Sequence, residues 1–194
     1  MTTVYFIRHA ESDYSVRESR IRPLTEKGFA DCRLVTEFLC DKNIDAVLSS
    51  PYKRAVDTLR DFIQKNNFEI QTIEGFCEQR SDSSHLARTV EFSIYAKNHW
   101  ADFSYKLGDG ESLSECQGRN ITALKKAISQ YKGKNIAIGT HGIALSTIIN
   151  YYDNTYMYED FMAMAFIYPW VVKMSFDDED RVTIEKFDLF HDRL

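Results

Sequence analysis

Two of the five histidines follow, within two residues, short apolar runs that are typical of buried strands. His9 follows Arg8 at the end of the run 4–7, and His141 comes just after the run 136–139. The carboxyl ends of strands in an open α/β sheet form the crevice in which such folds bind ligands. We therefore expect the two imidazoles to share one site and to be catalytic.

A third junction adds a second arginine to the same edge. The segment 49–55 (Ser-Ser-Pro-Tyr-Lys-Arg-Ala) follows another apolar run and opens a predicted helix that carries Arg54. The guanidinium groups of Arg8 and Arg54 would bind phosphate oxygens with paired donors and stabilise a phosphoryl transition state. The same charges would lower the pKa of His9 and keep its imidazole neutral, which is the form that attacks phosphorus. These residue types predict phosphoryl transfer through a phosphohistidine.

Further groups complete the predicted pocket. His141 would add a donor to the phosphate oxygens. The backbone N–H groups that open the helices after Ser50 and His141, including that of Gly142, would also bind the anion. A leaving alkoxide needs a proton, so a carboxylic acid must lie opposite His9. Glu78 follows the third predicted strand and fits that role.

The elements that must position these residues alternate between strand and helix. Four strands that lead into the site are predicted at 3–7, 44–48, 68–73 and 136–139. Helices are predicted after Thr25, after Ser50 with Pro51 in the first turn, after Ser112 with Glu115 in a capping box, and over 142–151. This alternation predicts an α/β fold with a mainly parallel, doubly wound sheet flanked by helices.

Two regions depart from the alternation. Residues 79–109 are polar and irregular with scattered aromatic side chains, which indicates a partly helical, lid-like insertion. After a loop rich in tyrosine and methionine that follows residue 151, the runs 171–176 and 181–189 flank the acidic stretch 177–180. They predict an antiparallel hairpin that closes the sheet. No repeat or linker divides the chain, so residues 1–194 are expected to form a single domain.

The composition limits the possible partners. The 194 residues carry a net charge of −5, which argues against nucleic acid as a partner. No apolar run approaches the ~18 residues of a membrane span, and no apolar signal stretch follows Met1. We therefore expect a cytoplasmic protein without membrane contact. No feature of the sequence indicates an oligomeric state.

No metal or other cofactor is expected. The four cysteines lack ligand spacing and are predicted to be buried free thiols. Three histidines follow no strand end and are predicted to lie on the surface or in the lid: His85, His99 and His191. The two arginines of the site would repel a cation from the histidine pair.

Taken in order, these motifs resemble the histidine phosphatase superfamily, whose best-known branch is the cofactor-dependent phosphoglycerate mutases. The matching segments are 8–12 (Arg-His-Ala-Glu-Ser), 23–28 (Pro-Leu-Thr-Glu-Lys-Gly), 49–58 (Ser-Ser-Pro-Tyr-Lys-Arg-Ala-Val-Asp-Thr), 110–112 (Gly-Glu-Ser) and 140–142 (Thr-His-Gly). Any one of them occurs by chance in many proteins. Five in the right order, each at a predicted structural junction, form a specific signal.

The resemblance implies a role for each predicted site residue: His9 as the nucleophile, Arg8, Arg54 and His141 as the phosphate pocket, and Glu78 as the proton donor. Glu74 is a nearby competitor for the last role. Many relatives carry an asparagine six residues after the nucleophile. This chain has Ser15 there, so that phosphate-binding group would be shorter or absent.

The departures from the mutases favour hydrolysis. The mutase segment Arg-His-Tyr-Gly after the acid is replaced by Gln-Arg-Ser-Asp at 79–82, and the chain is shorter than those mutases. The resulting prediction is a metal-independent phosphomonoester hydrolase that acts on a small phosphorylated metabolite. Three alternatives stay open: a phosphoglycerate mutase, a protein phosphohistidine phosphatase, and a catalytically silent phosphate-binding protein.

A short loop before Pro23 carries Arg17, Arg20 and Arg22, a local positive rim on an acidic protein. Such a rim would recognise a second anionic group on the substrate. It is equally typical of a solvated, charged loop, and the sequence favours neither interpretation.

Overall fold

A computed structural model describes residues 1–83, 91–177 and 182–191 of the chain. Within these ranges six strands run over Thr2–Arg8 (β1), Ala46–Ser49 (β2), Ile70–Thr72 (β3), Asn135–Thr140 (β4), Trp170–Phe176 (β5) and Val182–Phe187 (β6). Helices run over Glu26–Leu39 (α1), Lys53–Asn66 (α2), Phe92–Ala101 (α3), Leu113–Gln130 (α4), Gly142–Tyr152 (α5) and Tyr158–Met164 (α6). A 3₁₀ turn over Glu74–Phe76 follows β3.

The strands form one sheet in the order β3-β2-β4-β1-β5-β6. The first four strands in this order pair in parallel, whereas β5 pairs antiparallel with both β1 and β6. This confirms the predicted mainly parallel sheet with a C-terminal antiparallel hairpin. The register pairs Arg8 with Thr140 across β1 and β4, and Ser49 with Gly139 across β2 and β4. The chain segments just beyond these strand ends therefore meet at one edge.

The sheet separates two apolar cores, because successive side chains of a strand point to opposite faces. Val4 and Phe6 of β1 belong to the core that includes buried residues of α4 and α5. Tyr5 and Ile7 belong to the core that includes buried residues of α1 and α2. All seven residues of β1 are buried. Helices thus cover both faces, as a doubly wound sheet requires.

Two predicted helix starts are confirmed. The side chain of Thr25 accepts a hydrogen bond from the Gly28 N–H at the start of α1. Ser112 and Glu115 form the predicted capping box at the start of α4. A Cβ atom at Gly28 would lie 2.1 Å from the carbonyl oxygen of Glu11. Glycine is therefore needed where α1 approaches the loop that follows β1.

The predicted start of α2 is wrong. The helix begins at Lys53 after the cap residue Tyr52, so Ser50 does not cap it and Pro51 is not in its first turn. The hydroxyl of Ser50 accepts a hydrogen bond from the Tyr52 N–H and is also bonded to the ring of His141. These bonds hold the chain in a bend before the helix starts.

Helix α6 was not expected, since the sequence favoured a loop between residue 151 and the hairpin. It is seven residues long, too short to display a periodic apolar pattern. Phe161 and Met164 are buried, and the carboxylate of Asp160 accepts a hydrogen bond from the Met157 N–H. Packing of two side chains on the core, rather than intrinsic propensity, therefore stabilises this helix.

The predicted third strand, 68–73, is reduced to the three residues of β3 at one edge of the sheet. Helix α2 ends at Asn66, the cap residue Asn67 adopts a left-handed conformation with φ 53°, and the Phe68 N–H donates back to the carbonyl of Ile63. The chain consequently joins the sheet two residues later than predicted. Strand β2 likewise begins at Ala46 rather than at residue 44.

The predicted insertion, 79–109, contains α3, and Trp100 of that helix is buried in the core beside α4 and α5. His99, which was predicted to lie on the surface or in the lid, belongs to α3 of this insertion and is buried. Residues 84–90, which include His85, lie outside the described residues. The same holds for 178–181, where the predicted acidic turn and the start of the second hairpin run fall.

The cysteines follow the prediction with one exception. Cys32, Cys77 and Cys116 are buried free thiols, whereas Cys40 is exposed at the end of α1. In the described ranges, no helix is both long enough and apolar enough to cross a membrane.

Candidate active site

The ends of β1, β2 and β4 bring the predicted site residues together. The backbone N–H of His9 donates to the carbonyl of Thr140 at 3.1 Å, and that of Ser50 donates to the carbonyl of Gly139 at 2.8 Å. These bonds extend the strand pairing by one residue, so the three chain segments leave the sheet side by side. The ring centroids of His9 and His141 lie 5.3 Å apart, a separation that one phosphate group can bridge.

The bonds of the His9 ring assign its tautomer. Its Nδ1 lies 2.7 Å from the carbonyl oxygen of Ala10, which can only accept, so Nδ1 carries the proton. The Nε–H of Arg54 donates to Nε2 at 3.0 Å, so Nε2 holds a lone pair. Burial, and then the charges of Arg54 and Arg8, lower the pKa of His9 well below its usual range. The sequence predicted the effect of the arginines, but burial is the larger cause.

His141 is also buried and neutral. Its Nε2 lies 2.8 Å from the hydroxyl of Ser50, which accepts a hydrogen bond from the Tyr52 N–H. This bond fits either tautomer of the ring, because the hydroxyl can donate its hydrogen to Nε2 or accept a second hydrogen bond from it. Nδ1 is buried and has no hydrogen-bond partner in the described part of the chain. Burial, followed by the charge of Arg54, lowers the pKa of His141 well below its usual range. The ring is therefore neutral, with its Nδ1 unused.

Arg8 is held by backbone carbonyls. Its Nη1 donates to the carbonyls of Met164 at 2.6 Å and Ile167 at 3.1 Å, and its Nη2 donates to that of Ala165 at 2.9 Å. The paired donors that were expected to bind phosphate thus hold the chain after α6. The Nε of Arg8 is buried and has no partner among the described residues. A Cβ at Gly142 would lie 3.1 Å from Nη2, so glycine lets α5 begin against the guanidinium.

Two tyrosines that the sequence analysis did not select line the site. Tyr168 stacks on His9, with centroids 5.9 Å apart and planes at 29°, and the guanidinium carbon of Arg8 lies 3.9 Å from its ring centroid. Tyr52 meets His141 edge to face at 5.0 Å. Tyr52 lies inside the Ser-Ser-Pro motif and could have been found there. Tyr168 lies in no motif, and only the folded chain brings it to His9.

Glu78 reaches the same edge from the loop after the 3₁₀ turn. Its Oε1 accepts hydrogen bonds from the backbone N–H groups of Ala144 and Gln79, each at 2.9 Å, and its Oε2 accepts from that of Ile143 at 3.3 Å. Ile143 and Ala144 belong to the first turn of α5, directly after His141. The amides that were expected to bind phosphate therefore bind the side-chain oxygens of Glu78 in this structure.

Glu74 occupies a different environment from Glu78. It forms an exposed ion pair with Arg20. The hydrogen bond from Arg20 lowers the pKa of the Glu74 carboxyl group. Glu74 is thus occupied by an exposed ion pair, whereas Glu78 contacts the first turn of α5 directly after His141. This position favours Glu78 over Glu74 as the acid.

The other rim arginines differ from Arg20. The Nε of Arg22 donates to the carbonyl of Val16 at 2.9 Å, and its charge is close enough to contribute to the lowered pKa of His9. Arg17 is exposed, and its side chain has no partner in the described part of the chain. Arg22 therefore acts on His9, whereas the guanidinium carbon of Arg20 lies 5.7 Å from the ring centroid of Tyr52.

Ser15 is not among the buried side chains of the site. It is exposed, and its backbone N–H donates to the carboxylate of Asp13 at 2.9 Å within the loop after β1. The structure thus brings together His9, Arg8, Arg54, His141, Gly142 and Glu78, and leaves Ser15 on the surface.

Within residues 1–83, 91–177 and 182–191, no three side chains of the metal-binding types His, Cys, Asp and Glu are grouped to hold a metal ion. The charges of Arg8 and Arg54 lower the pKa values of both imidazoles, and those of Arg22 and Arg119 add to the effect at His9 and His141 respectively. Because these groups are all positive, the site is suited to an anion.

Comparison with known proteins identifies the family of this site. The sequence profile of the histidine phosphatase superfamily (branch 1) matches residues 4–186. The chain is 25% identical over 154 residues to the uncharacterized phosphatase PhoE of Bacillus subtilis, covering 77% of this chain and 76% of that protein. It is 26% identical over 161 residues to the probable phosphoglycerate mutase GpmB of Serratia proteamaculans, covering 77% and 74%.

A solved structure supports the same fold. The phosphoserine phosphatase of Entamoeba histolytica, determined as a mutant in complex with phosphoserine, superposes with a TM-score of 0.76 at 20% identity, covering 97% of each chain. Since the profile spans nearly the whole sequence, the chain belongs to the histidine phosphatase superfamily.

Proposed function

We propose that the protein is a phosphomonoester hydrolase that works through a phosphohistidine at His9. The observation that carries the proposal is the state of His9. Its Nε2 is unprotonated, buried, and within hydrogen-bond distance of the Arg54 guanidinium. An imidazole with a free lone pair beside a fixed positive charge is both a nucleophile and an acceptor for a phosphoryl group.

The first step transfers the phosphoryl group to the enzyme. Nε2 of His9 forms a bond to phosphorus while the bond from phosphorus to the ester oxygen breaks, and Glu78 gives its proton to the leaving oxygen. A bound phosphate dianion disfavours a second negative charge beside it, so substrate binding favours the protonated acid. The N–H groups of Ile143 and Ala144 then stabilise the carboxylate that the transfer leaves behind.

The second step returns His9 to its starting state. The Glu78 carboxylate takes a proton from a water molecule, which attacks phosphorus as the bond to Nε2 breaks, and inorganic phosphate is released. In this proposal His141 carries its proton on Nδ1, and that N–H and the unused Nε–H of Arg8 are donors for the equatorial oxygens in both steps.

The substrate is a small phosphorylated metabolite in this proposal. Tyr168 and Tyr52 flank the two imidazoles and narrow the space beside the phosphate. The names of the relatives point to small phosphoesters, since one solved neighbour binds phosphoserine and others are named phosphoglycerate mutases. Metal independence is part of the proposal, because Arg8 and Arg54 supply the positive charge that a metal ion would otherwise bring to the phosphate.

Hydrolysis is favoured over intermolecular phosphate exchange by the residues at 79–82. The amide of Gln79 donates to the carbonyl of Glu111 at 2.7 Å and is bonded to His99. The side chain of Arg80 is largely exposed. These residues stand where the mutases have Arg-His-Tyr-Gly, and here they hold the loop rather than face the imidazoles.

A trapping experiment tests the covalent step. The protein is mixed briefly with a reactive phosphoester in the presence of EDTA and denatured in base. We expect one base-stable, acid-labile phosphate on the peptide that contains His9, and release of inorganic phosphate on longer incubation. Label on a serine, aspartate or cysteine would overturn the mechanism, and turnover that stops in EDTA would overturn metal independence. Binding of phosphate without label or turnover would identify a catalytically silent protein.

Phosphoglycerate mutase is the second candidate function, because two of the related sequences carry that name. Incubation with 3-phosphoglycerate separates the two reactions. Interconversion of 3- and 2-phosphoglycerate that is much faster than phosphate release would establish the mutase. The cytoplasmic location expected from the sequence stays a prediction, which cell fractionation would test.

A further inference from the structure

The loop that carries Glu78 is fastened by one arginine of α4. The Nη1 of Arg119 donates to the carbonyls of Gly75 at 3.0 Å and Cys77 at 2.8 Å, and its Nη2 donates to the carbonyl of Glu78 at 3.1 Å. A Cβ at Gly75 would lie 2.4 Å from that of Ala123, so the loop packs directly on the helix. The carbonyl of Glu78 itself is therefore tied to a rigid element.

Arg119 is in turn held by Glu111 of the Gly-Glu-Ser motif, which the proposed mechanism does not use. The Nε and Nη2 of Arg119 donate to the two carboxylate oxygens at 2.8 Å and 2.7 Å. The Glu111 side chain is only 2% exposed. Its Oε2 also accepts from the Arg80 N–H at 3.1 Å, and its carbonyl accepts from the Gln79 amide. The residues on both sides of Glu78 are thus fixed by the same pair.

The pair is charged and does not enter the site. Burial alone would lower the pKa of Arg119, but the hydrogen bonds from its guanidinium to Glu111 raise it above its usual value. Neither side chain is bonded to the Glu78 carboxylate, whose partners are backbone N–H groups. The charge of Arg119 also contributes to the lowered pKa of His141, an influence that acts on every phosphoester alike. An effect confined to leaving groups that need a proton must therefore pass through the position of Glu78.

We propose that Arg119, oriented by Glu111, is a positioning residue that holds Glu78 where it can protonate the leaving group. This inference rests on the proposed function, in which Glu78 is the acid. A displacement of about 1 Å in a catalytic group can cost roughly 10²-fold in rate. That cost falls only on leaving groups that need a proton.

The test is a leaving-group series with Arg119→Gln. For alkyl phosphates we expect kcat/KM to fall by roughly 10²-fold, because the acid is displaced. For nitrophenyl phosphate, whose leaving group departs without a proton, we expect a fall of less than about threefold. The matched control is Lys106→Gln, which removes an exposed ion pair with Glu115 at the start of the same helix and should leave both substrates unchanged. Equal losses for both substrates would overturn the proposal and assign Arg119 a purely structural role.

Two further variants distinguish a loss of positioning from a loss of folding. Arg119→Gln leaves the buried Glu111 carboxylate without the guanidinium that pairs with it, so the double variant Glu111→Gln, Arg119→Gln removes both charges and keeps a polar side chain at each position. It should show the same selective loss. In Arg119→Ala, added guanidinium ion should restore part of the alkyl phosphatase activity without changing nitrophenyl phosphatase activity. No rescue in a folded Arg119→Ala protein would count against the proposal.

Glu78→Gln, tested alongside, separates failure of this inference from failure of the proposed function. If Glu78→Gln loses activity only on alkyl phosphates and Arg119→Gln loses activity equally on both substrates, Glu78 remains the acid and the role of Arg119 is overturned. If Glu78→Gln loses activity equally on both substrates, Glu78 is not the acid, and the role proposed for Arg119 fails with it. When both variants lose selectively, adding Arg119→Gln to Glu78→Gln should cause little further loss on alkyl phosphates, because the two residues act as one unit.

Discussion

The two sides of the site are built in different ways. On the nucleophile side, His9 and His141 leave neighbouring parallel strands, and the register of β1 and β4 brings them side by side. On the acid side, Glu78 sits in a loop outside the sheet and is placed by long-range hydrogen bonds to α4 and α5. The first side is fixed by backbone pairing, and the second by one ion pair and one helix end.

Because of this difference, we expect the two sides of the site to respond differently to amino-acid substitutions. Backbone pairing within a buried sheet is independent of any one side chain, so most substitutions near the nucleophile will act through chemistry rather than through position. The acid depends on the guanidinium of Arg119, which makes three of the bonds that hold its loop. A single substitution on α4 can therefore move the acid while the nucleophile stays in place.

The largest effect is expected from loss of the nucleophile. His9→Asn keeps a polar side chain but has no ring nitrogen to attack phosphorus. We expect turnover of every phosphomonoester to fall by at least ~10³-fold. Steady-state release of phosphate measures this loss. The control is His191→Asn, which removes an exposed histidine and should leave activity unchanged. Substantial turnover by His9→Asn would show that the nucleophile side has been misassigned.

The acid should show a smaller and more selective effect. Glu78→Gln removes the proton that the leaving group receives, at nearly unchanged shape. For alkyl phosphates kcat/KM should fall by ~10²–10⁴-fold, the usual range for general acid–base catalysis, with little change for nitrophenyl phosphate. Glu74→Gln is the matched control, and its exposed pair with Arg20 should make the change small for both substrates. If Glu74→Gln instead loses activity only on alkyl phosphates, Glu74 rather than Glu78 is the general acid.

The buried histidines should also appear in the pH dependence of stability. Their pKa values are lowered in the folded protein by burial and by the arginines. Above about pH 6.5 both states hold a neutral imidazole, and below it only the unfolded chain takes up the proton. The free energy of unfolding should therefore fall with decreasing pH, by up to about 1.4 kcal/mol per pH unit for each histidine.

Urea denaturation at a series of pH values between 5 and 8 measures that slope. His9→Asn should make it shallower below about pH 6.5, whereas His191→Asn should not change it. An unchanged slope in His9→Asn would mean that folding does not lower the pKa of His9, contrary to the buried, neutral imidazole on which the mechanism rests.

The sequence was informative where position follows from strand order. Apolar runs followed by Arg8, His9 and His141 were enough to predict a mainly parallel sheet with both imidazoles at one edge, because parallel strands end together. The α2 start was misplaced because Ser50, a good cap residue by type, is used by His141 instead. His141 follows β4 and is 91 residues away from Ser50 in the sequence, so the residues around Ser50 give no indication of this bond.

The surroundings of Arg8 and Glu78 were beyond sequence reasoning for a related reason. The carbonyls that hold Arg8 come from the chain after α6, and a backbone carbonyl leaves no signature in residue type. Tyr168 reaches His9 through the same segment. Arg119 lies in the middle of an amphipathic helix, where an arginine is ordinary. Nothing in its spacing indicates three backbone partners in a distant loop.

The smallest expected effect concerns the rim arginines of the loop before Pro23. One of them acts on the nucleophile side of the site and another contacts the acid side. The charge of Arg22 reaches His9, whereas that of Arg20 is paired with Glu74 on the acid loop. If the rim recognises a second anionic group, Arg22→Gln should raise KM for a phosphoester with a carboxylate by roughly tenfold, the size of one charge-assisted hydrogen bond. For phenyl phosphate, which has no second charge, KM should stay within about twofold. Arg20→Gln should change either substrate by less than about twofold, because an exposed ion pair contributes little. Equal, small changes in both variants would identify the loop as solvated charge and leave substrate choice to Tyr52 and Tyr168, since these are the side chains that flank the imidazoles.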